Sequence, residues 1–231
     1  MYIPEGFLKS QIWISFYVLM SILWLIGLKN IKYKNIPVLI TSSAFSLAIM
    51  MCKMPVSGIG HLIGATFFSI ILGPYQSFIV ITSSLAIQSF IFGDGGITSF
   101  AANTFSIGFV ASFSGYYMFK FISKRFLKKS FLTPLKTSIA AGIGGYFSII
   151  CSSLVTALIL GIQPLLHYIE TGASIYYPNS LTYPIYTIII ENFIIIGWVE
   201  GLFTGIAVNF LISEKSPILN VIEEKRQKPK N

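Results

Sequence analysis

The sequence predicts an all-α membrane protein: a polytopic bundle of about seven transmembrane helices, with the N-terminus outside and the C-terminus in the cytoplasm. Three observations predict this class, namely the apolar composition, the length of the apolar stretches and the distribution of basic residues between them. Hydrophobic residues make up 54% of the 231 residues and charged residues only 10%. That balance leaves too little polar surface to cover a water-soluble globule of this size.

Seven apolar stretches approach the length needed to cross a bilayer, whose core of about 30 Å requires roughly 20 residues of helix. The predicted spans cover residues 11–28, 36–52, 58–73, 75–93, 98–120, 137–163 and 185–212. The chain is interpreted as one transmembrane domain over residues 1–231. It has an N-terminal segment at 1–10 and a basic cytoplasmic tail at 213–231.

The positive charge predicts the orientation of the bundle. All but two of the basic residues fall in the first gap, in the gap after residue 120 or in the tail, and the two exceptions are Lys9 and Lys53. Basic loops stay cytoplasmic, so an odd number of spans places the N-terminus outside. A basic rim that faces anionic lipid explains the net charge of +8. We therefore predict a multi-pass protein of the cell membrane that binds no nucleic acid.

Small residues recur at intervals of four in the last span, where Gly197, Gly201 and Gly205 form one stripe. In lipid, such a stripe allows two helix backbones to approach closely. Packing within this chain is the favoured explanation over a dedicated subunit interface.

Ionisable side chains at membrane depth are functional candidates because each costs about 2.5–3.5 kcal/mol to insert. Glu200 lies deep in the last span, either in a site or bonded to Ser, Thr or Asn of another span. Glu191 lies nearer the interface, where snorkelling or a loop contact explains it.

His61 lies at the outer end of the third predicted span, in a glycine-rich run that would let a ligand approach the imidazole. The next external turn carries Asp94 among three glycines, and Asn103 follows on the fifth span. The predicted topology places the N-terminus, His61 and Asp94 on the same side. His61 is either a ligand or a packed, interfacial side chain.

Four blocks of this sequence, in this order, resemble the cobalt/nickel substrate-capture components of energy-coupling-factor ABC transporters, the CbiM/NikM family. The first block is the leading MYIPEGFL, and the second is GHLIG around His61, followed by LGP at residues 72–74. The third runs from Gln88 through GDGGIT to Asn103, and the fourth is IGWVEGL around Glu200. Together the blocks cover most of the chain.

The resemblance implies that the leading eight or so residues fold into the bundle from outside and help to build a metal site. In the family, a planar cage of nitrogens comes from the α-amine of the first residue, the backbone nitrogen and imidazole of the second, and a histidine of a span. The matching positions here are Met1, Tyr2 and His61. Square-planar nitrogen coordination suits Ni(II) and also accommodates Co(II). Support for the folded-in segment and the ligands is expected from Glu5, Gln88, Asp94, Asn103 and Glu200.

Tyr2 departs from the family, which carries histidine at the second position. A phenol keeps its proton at neutral pH and is a poor ligand for these metals beside imidazole. Three interpretations stay open. In the first, the site is a weaker or altered metal site, in which the Tyr2 backbone nitrogen still binds and water or Glu5 takes the fourth position. In the second, the site binds a different small cation. In the third, the scaffold serves another small solute.

The sequence contains no Gly-rich ATP-binding loop ending in Gly-Lys-Ser/Thr, so the chain is predicted not to be an enzyme. The resemblance implies a membrane scaffold subunit and paired ATPase subunits as partners. It also implies no intrinsic cofactor, with Co(II) or Ni(II) bound as the transported ligand.

Two rival functions are possible for such a chain. An intramembrane aspartyl protease needs two carboxylates that share a proton, yet Asp94 is the only aspartate, and no catalytic residue is assigned. A non-transporting structural membrane subunit is the stronger alternative, and it predicts that His61 is dispensable for solute uptake.

Overall fold

The computed structural model describes residues 3–31, 33–52, 61–126, 134–171, 188 and 190–214. Over these ranges the chain forms helices joined by loops, as expected for an all-α protein. The helices are α1 (Ser10–Lys29), α2 (Ile36–Met51), α3 (Ala65–Leu72), α4 (Pro74–Phe90), α5 (Phe100–Asn103), α6 (Ala111–Phe126), α7 (Pro134–Thr171) and α8 (Gly197–Ser213). A short 3-10 turn at Tyr33–Asn35 precedes α2.

Two stretches of π-helix occur within the described residues, and both adjoin candidate site residues. One, Thr104–Val110, joins α5 to α6 directly after Asn103, and the other, Asn192–Ile196, leads into α8. The hydroxyl of Thr104 donates to the carbonyls of Phe100 and Ala101 at 2.9 and 3.0 Å. Such bonds compete for carbonyls that the regular helix would use, and π segments are frequent at functional sites.

Four helices in the described part of the chain are long and apolar enough to cross a membrane: Ser10–Lys29, Tyr33–Met51, Pro134–Ile162 and Asn192–Ser213. They correspond to the first, second, sixth and seventh predicted spans. The total of seven and the orientation of the termini remain predictions. Within the 1–10 segment, residues 3–9 are described, whereas most of the 213–231 tail lies outside the described residues.

The third predicted span, 58–73, differs from expectation. Residues 58–60 lie outside the described residues, His61 to Gly64 are not helical, and α3 has only eight residues. Eight residues of helix extend about 12 Å, less than half of a bilayer core. Gly64 has a φ of 69°, a left-handed conformation that ends any continuous helix through this run.

Helices α7 and α8 pack with their backbones in close approach. A Cβ atom added at Gly201 would lie 2.8 Å from the carbonyl oxygen of Gly142, and one at Gly142 would lie 3.0 Å from that of Gly201. The Ser138 hydroxyl also donates to the Gly205 carbonyl at 2.6 Å. The predicted stripe of glycines therefore packs within this chain.

The opposite face of α8 carries large apolar side chains that are exposed in the isolated chain, including Trp198, Leu202, Ile206 and Phe210. Helix α1 likewise exposes Val18 and Leu25. Exposed apolar faces on helices of this length and hydropathy are those of a protein solvated by lipid. The chain is a membrane protein by this criterion, as predicted.

Candidate functional site

The leading peptide, residues 3–9, is packed into one end of the helical bundle. Ile3 is fully buried and Leu8 nearly so. Both belong to an apolar cluster with Ala102, Ile159 and Leu160, so helices α5 and α7 enclose the peptide. The described residues of this segment are therefore held against the helical bundle.

Asn103 pairs with the backbone of this peptide through two hydrogen bonds. The Ile3 N–H donates to Asn103 Oδ1 at 2.8 Å, and Asn103 Nδ2 donates to the Ile3 carbonyl at 3.0 Å. The same Nδ2 also donates to the Gly95 carbonyl at 3.3 Å. Asn103 is 1% exposed, so these bonds are shielded from competing water. Its amide holds the leading peptide in the way that a neighbouring strand would.

A second anchor joins the peptide to the loop between α4 and α5. The exposed carboxylate of Glu5 accepts a hydrogen bond from the Thr98 N–H, at 3.1 Å to Oε2 and 3.4 Å to Oε1. Gly96, with a φ of 71°, lies directly against Glu5. A Cβ atom added at Gly96 would collide with the Glu5 side chain and lie 2.7 Å from the Glu5 Cα. Glu5 thus contacts the loop through both its side chain and its backbone.

Gln88 and Asp94 are brought together by the turn that follows α4. The Asp94 N–H donates to the Gln88 carbonyl at 2.9 Å, and the Ser89 hydroxyl donates to the Asp94 carbonyl at 3.2 Å. Gln88 is buried, whereas Asp94 is half-buried. Tyr17 of α1 closes the same loop by donating to the Ile97 carbonyl at 2.6 Å. These residues shape the loop against which the leading peptide lies.

His61 is 2% exposed, and the backbone that follows it is held by Glu200 of α8. The N–H of Ile63 donates to Glu200 Oε2 at 2.9 Å, and the N–H of Gly64 donates to Oε1 at 2.8 Å. Glu200 is fully buried, and hydrogen bonds to backbone N–H groups partly offset the cost of desolvating a carboxylate. Among the described residues, Glu200 bonds no Ser, Thr or Asn side chain. Its partners are main-chain groups.

The proposed ligands are only partly within the described residues. Met1 and Tyr2, which would link the leading peptide to His61, lie outside them. Within the described ranges, no three His, Cys, Asp or Glu side chains cluster in a way that could hold a metal ion. The cage of Met1, Tyr2 and His61 therefore stays a prediction.

Several contacts at this site were not anticipated from the sequence. They include the Thr98 N–H that meets Glu5, the close approach at Gly96, and the two amides that meet Glu200. The run of glycines around Asp94 indicates close backbone approach, and it points to the contacts that Glu5 makes with Thr98 and Gly96. No local pattern predicts which carboxylate meets Ile63 and Gly64.

Comparison with known proteins finds metal transport proteins among the relatives of this chain. A sequence model of the cobalt uptake substrate-specific transmembrane region, CbiM, matches residues 2–218. A putative metal transport protein of Methanocaldococcus jannaschii is 33% identical, over 90% of this chain and 90% of its own length. The probable fused nickel transport protein LarMN of Lactiplantibacillus plantarum is 27% identical over 91% of this chain, which spans 64% of that relative.

Two solved structures share the fold. A crystal structure of a transition metal transporter superposes with a TM-score of 0.85 at 32% identity, covering 99% of this chain and 100% of that one. A truncated transition metal transporter gives a TM-score of 0.83 at 33% identity, covering 93% and 99% of the respective chains. The likeness therefore extends over the whole bundle, including the elements that hold the leading peptide.

Proposed function

Because this chain belongs to the cobalt uptake substrate-specific transmembrane family, CbiM, we propose that it is the substrate-binding subunit of an energy-coupling-factor ABC importer in the cell membrane. Its cargo is a transition-metal cation, Co(II) or Ni(II). The chain would not hydrolyse ATP itself, and import would depend on a membrane scaffold subunit and paired ATPase subunits. The fused nickel transport protein among its relatives supports nickel as one cargo.

The observation that carries this proposal is the buried leading peptide. The N–H and the carbonyl of Ile3 are both hydrogen-bonded to the Asn103 side chain. Ile3 is two residues from the N-terminal amine in sequence. In this proposal the α-amine of Met1 and the backbone nitrogen of Tyr2 are metal ligands. With the His61 imidazole they would supply three nitrogens of the set that Ni(II) prefers.

Tyr2 favours a second candidate function, in which the same scaffold carries another small solute. At neutral pH a phenol adds little to a nitrogen cage. In this chain the fourth position would therefore be taken by water or by the Glu5 carboxylate, which also accepts from the Thr98 N–H. This change predicts a lower affinity for Ni(II) than a histidine in the second position would give.

The decisive experiment extends the N-terminus. A chain with two residues added ahead of Met1 keeps its helices but no longer presents its α-amine at the same place. We expect Ni(II) and Co(II) binding, measured by isothermal titration on purified protein, to be lost. The same residues added after Asn231 should leave binding unchanged. Equal binding by both extended chains would contradict the amine ligand, and an unmodified chain that binds neither metal would favour the second candidate.

A further inference from the structure

The backbone directly after His61 is fixed by one side chain from a distant helix. Both carboxylate oxygens of Glu200 are used, one on the N–H of Ile63 and one on that of Gly64. Ile63 and Glu200 are fully buried. Since two residues of chain extend at most about 7 Å, the position of His61 follows closely from where these two amides are held.

The conformation of Gly64 makes this double contact possible. Its φ of 69° turns the chain so that two successive N–H groups converge on a single carboxylate, an arrangement that binds anionic groups. An added Cβ at Gly64 would lie 3.3 Å from the Phe68 ring and 3.6 Å from Ile49. A side chain at this position would therefore disturb the turn by conformational strain and by contact.

Glu200 is itself rigidly placed, because it lies where α7 and α8 are closest. A Cβ added at Gly145 of α7 would lie 3.1 Å from the Glu200 carbonyl and 2.9 Å from the Thr204 hydroxyl oxygen. The Glu200 carboxylate therefore extends from a closely packed pair of helices, α7 and α8. Any displacement of that pair relative to α3 would be transmitted to the chain at His61.

We propose that Glu200 is a positioning residue, which orients the His61 imidazole toward the transported cation and makes the metal site depend on the placement of the α7–α8 pair. This inference rests on the proposed function, since it assigns a role within the same site. Glu200 does not contact the cation. It fixes the segment that carries the ligand, as residues behind metal ligands commonly do.

The test compares Glu200→Gln with a matched control, Glu214→Gln, which removes an exposed carboxylate at the C-terminal end of the same helix, α8. Glutamine has nearly the size of glutamate, but its amide nitrogen cannot accept a hydrogen bond, so one of the two N–H groups loses its partner. The first readout is metal affinity. We expect Glu200→Gln to weaken Ni(II) or Co(II) binding by about 10- to 100-fold, and Glu214→Gln to bind like the unmodified chain.

The second readout needs no metal. The chain has two histidines, His61 and His167, so a protein labelled with ¹⁵N-histidine gives two imidazole signal sets in a nanodisc. Glu200→Gln should shift the His61 signals and leave those of His167 in place, and Glu214→Gln should shift neither. Gly64→Ala, which keeps the carboxylate but disturbs the turn, should also shift the His61 signals and provides the test if Glu200→Gln does not fold.

The outcomes separate this inference from the proposed function. Unmoved His61 signals in both Glu200→Gln and Gly64→Ala would overturn the positioning role, and so would a loss of metal affinity without any movement of His61. If the unmodified protein binds neither metal while Glu200→Gln still moves the His61 signals, the proposed cargo is wrong and the positioning of the imidazole stands.

Discussion

At the scale of single residues, Asn103 illustrates how a side chain can recognise main chain alone. Its amide offers one acceptor and one donor side by side, and the Ile3 peptide groups supply the complement. Aspartate at neutral pH would accept but not donate, and a leucine would leave two buried backbone groups unpaired, at a cost of about 1–3 kcal/mol each. The side chain at position 3 contributes burial, whereas the pairing depends only on its backbone.

The close approach of Glu5 to Gly96 gives a prediction with an internal control. Gly96 and Gly93 have nearly the same positive φ, 71° and 70°, but only at Gly96 would an added Cβ meet other atoms. Gly96→Ala and Gly93→Ala therefore introduce similar strain, about 1–2 kcal/mol. Only Gly96→Ala also pushes Glu5 away, and we expect it alone to weaken Ni(II) binding at least tenfold by titration.

Similar binding by the two alanine variants would mean that the Glu5 contact does not hold the leading peptide in place. Limited proteolysis within residues 1–10 provides a separate measure. Faster cleavage is expected in Gly96→Ala than in Gly93→Ala, because a peptide that has left the bundle is open to the protease.

At the scale of elements, α7 and α8 are held together by backbone contact between small residues. Gly201→Val would place a branched side chain where a Cβ alone lies 2.8 Å from the Gly142 carbonyl. We expect this overpacking to destabilise the protein by about 1–3 kcal/mol and to lower its melting temperature in detergent. Leu202→Val, one residue away on the exposed face of α8, is the control and should melt near the unmodified protein. Equal melting temperatures would contradict tight packing at this contact.

The sequence could predict those helices whose ends are determined by neighbouring residues. Helices α1 and α2 begin and end within a residue or two of the predicted spans 11–28 and 36–52, because apolar length and flanking charge are properties of the sequence itself. The stripe of Gly197, Gly201 and Gly205 likewise predicted a close contact in lipid.

Other features could not be predicted, because their causes lie far away in sequence. The run 58–73 is apolar enough to suggest a span, but the chain turns at Gly64 and its amides meet Glu200, 136 residues later. The π segments Thr104–Val110 and Asn192–Ile196 leave no mark in a hydropathy pattern, because that pattern does not record hydrogen bonds. Of the candidate site, Asn103 and the folded-in peptide were expected from the family resemblance, and the manner of their pairing was not.

At the scale of the whole molecule, the predicted orientation places the His61 end outside and the basic tail inside. A chain with Cys52→Ser and Cys151→Ser permits labelling of single introduced cysteines. Gly93→Cys and Glu214→Cys both lie at exposed positions. In intact cells, a membrane-impermeant maleimide should label the first and not the second, and lysis should make both reactive. The reverse pattern would invert the topology and place the proposed metal site on the wrong face for import.

The pairing of Ile3 with Asn103 also dictates an order of assembly during synthesis. The two residues are 100 positions apart, so at translation rates of roughly 5–20 residues per second the beginning of the chain waits at least about 5 s for its partner to leave the ribosome. Helices α1 to α4 are therefore synthesised before Ile3 can pair with Asn103. The leading peptide is thus anchored only after the helices that precede its partner have been made.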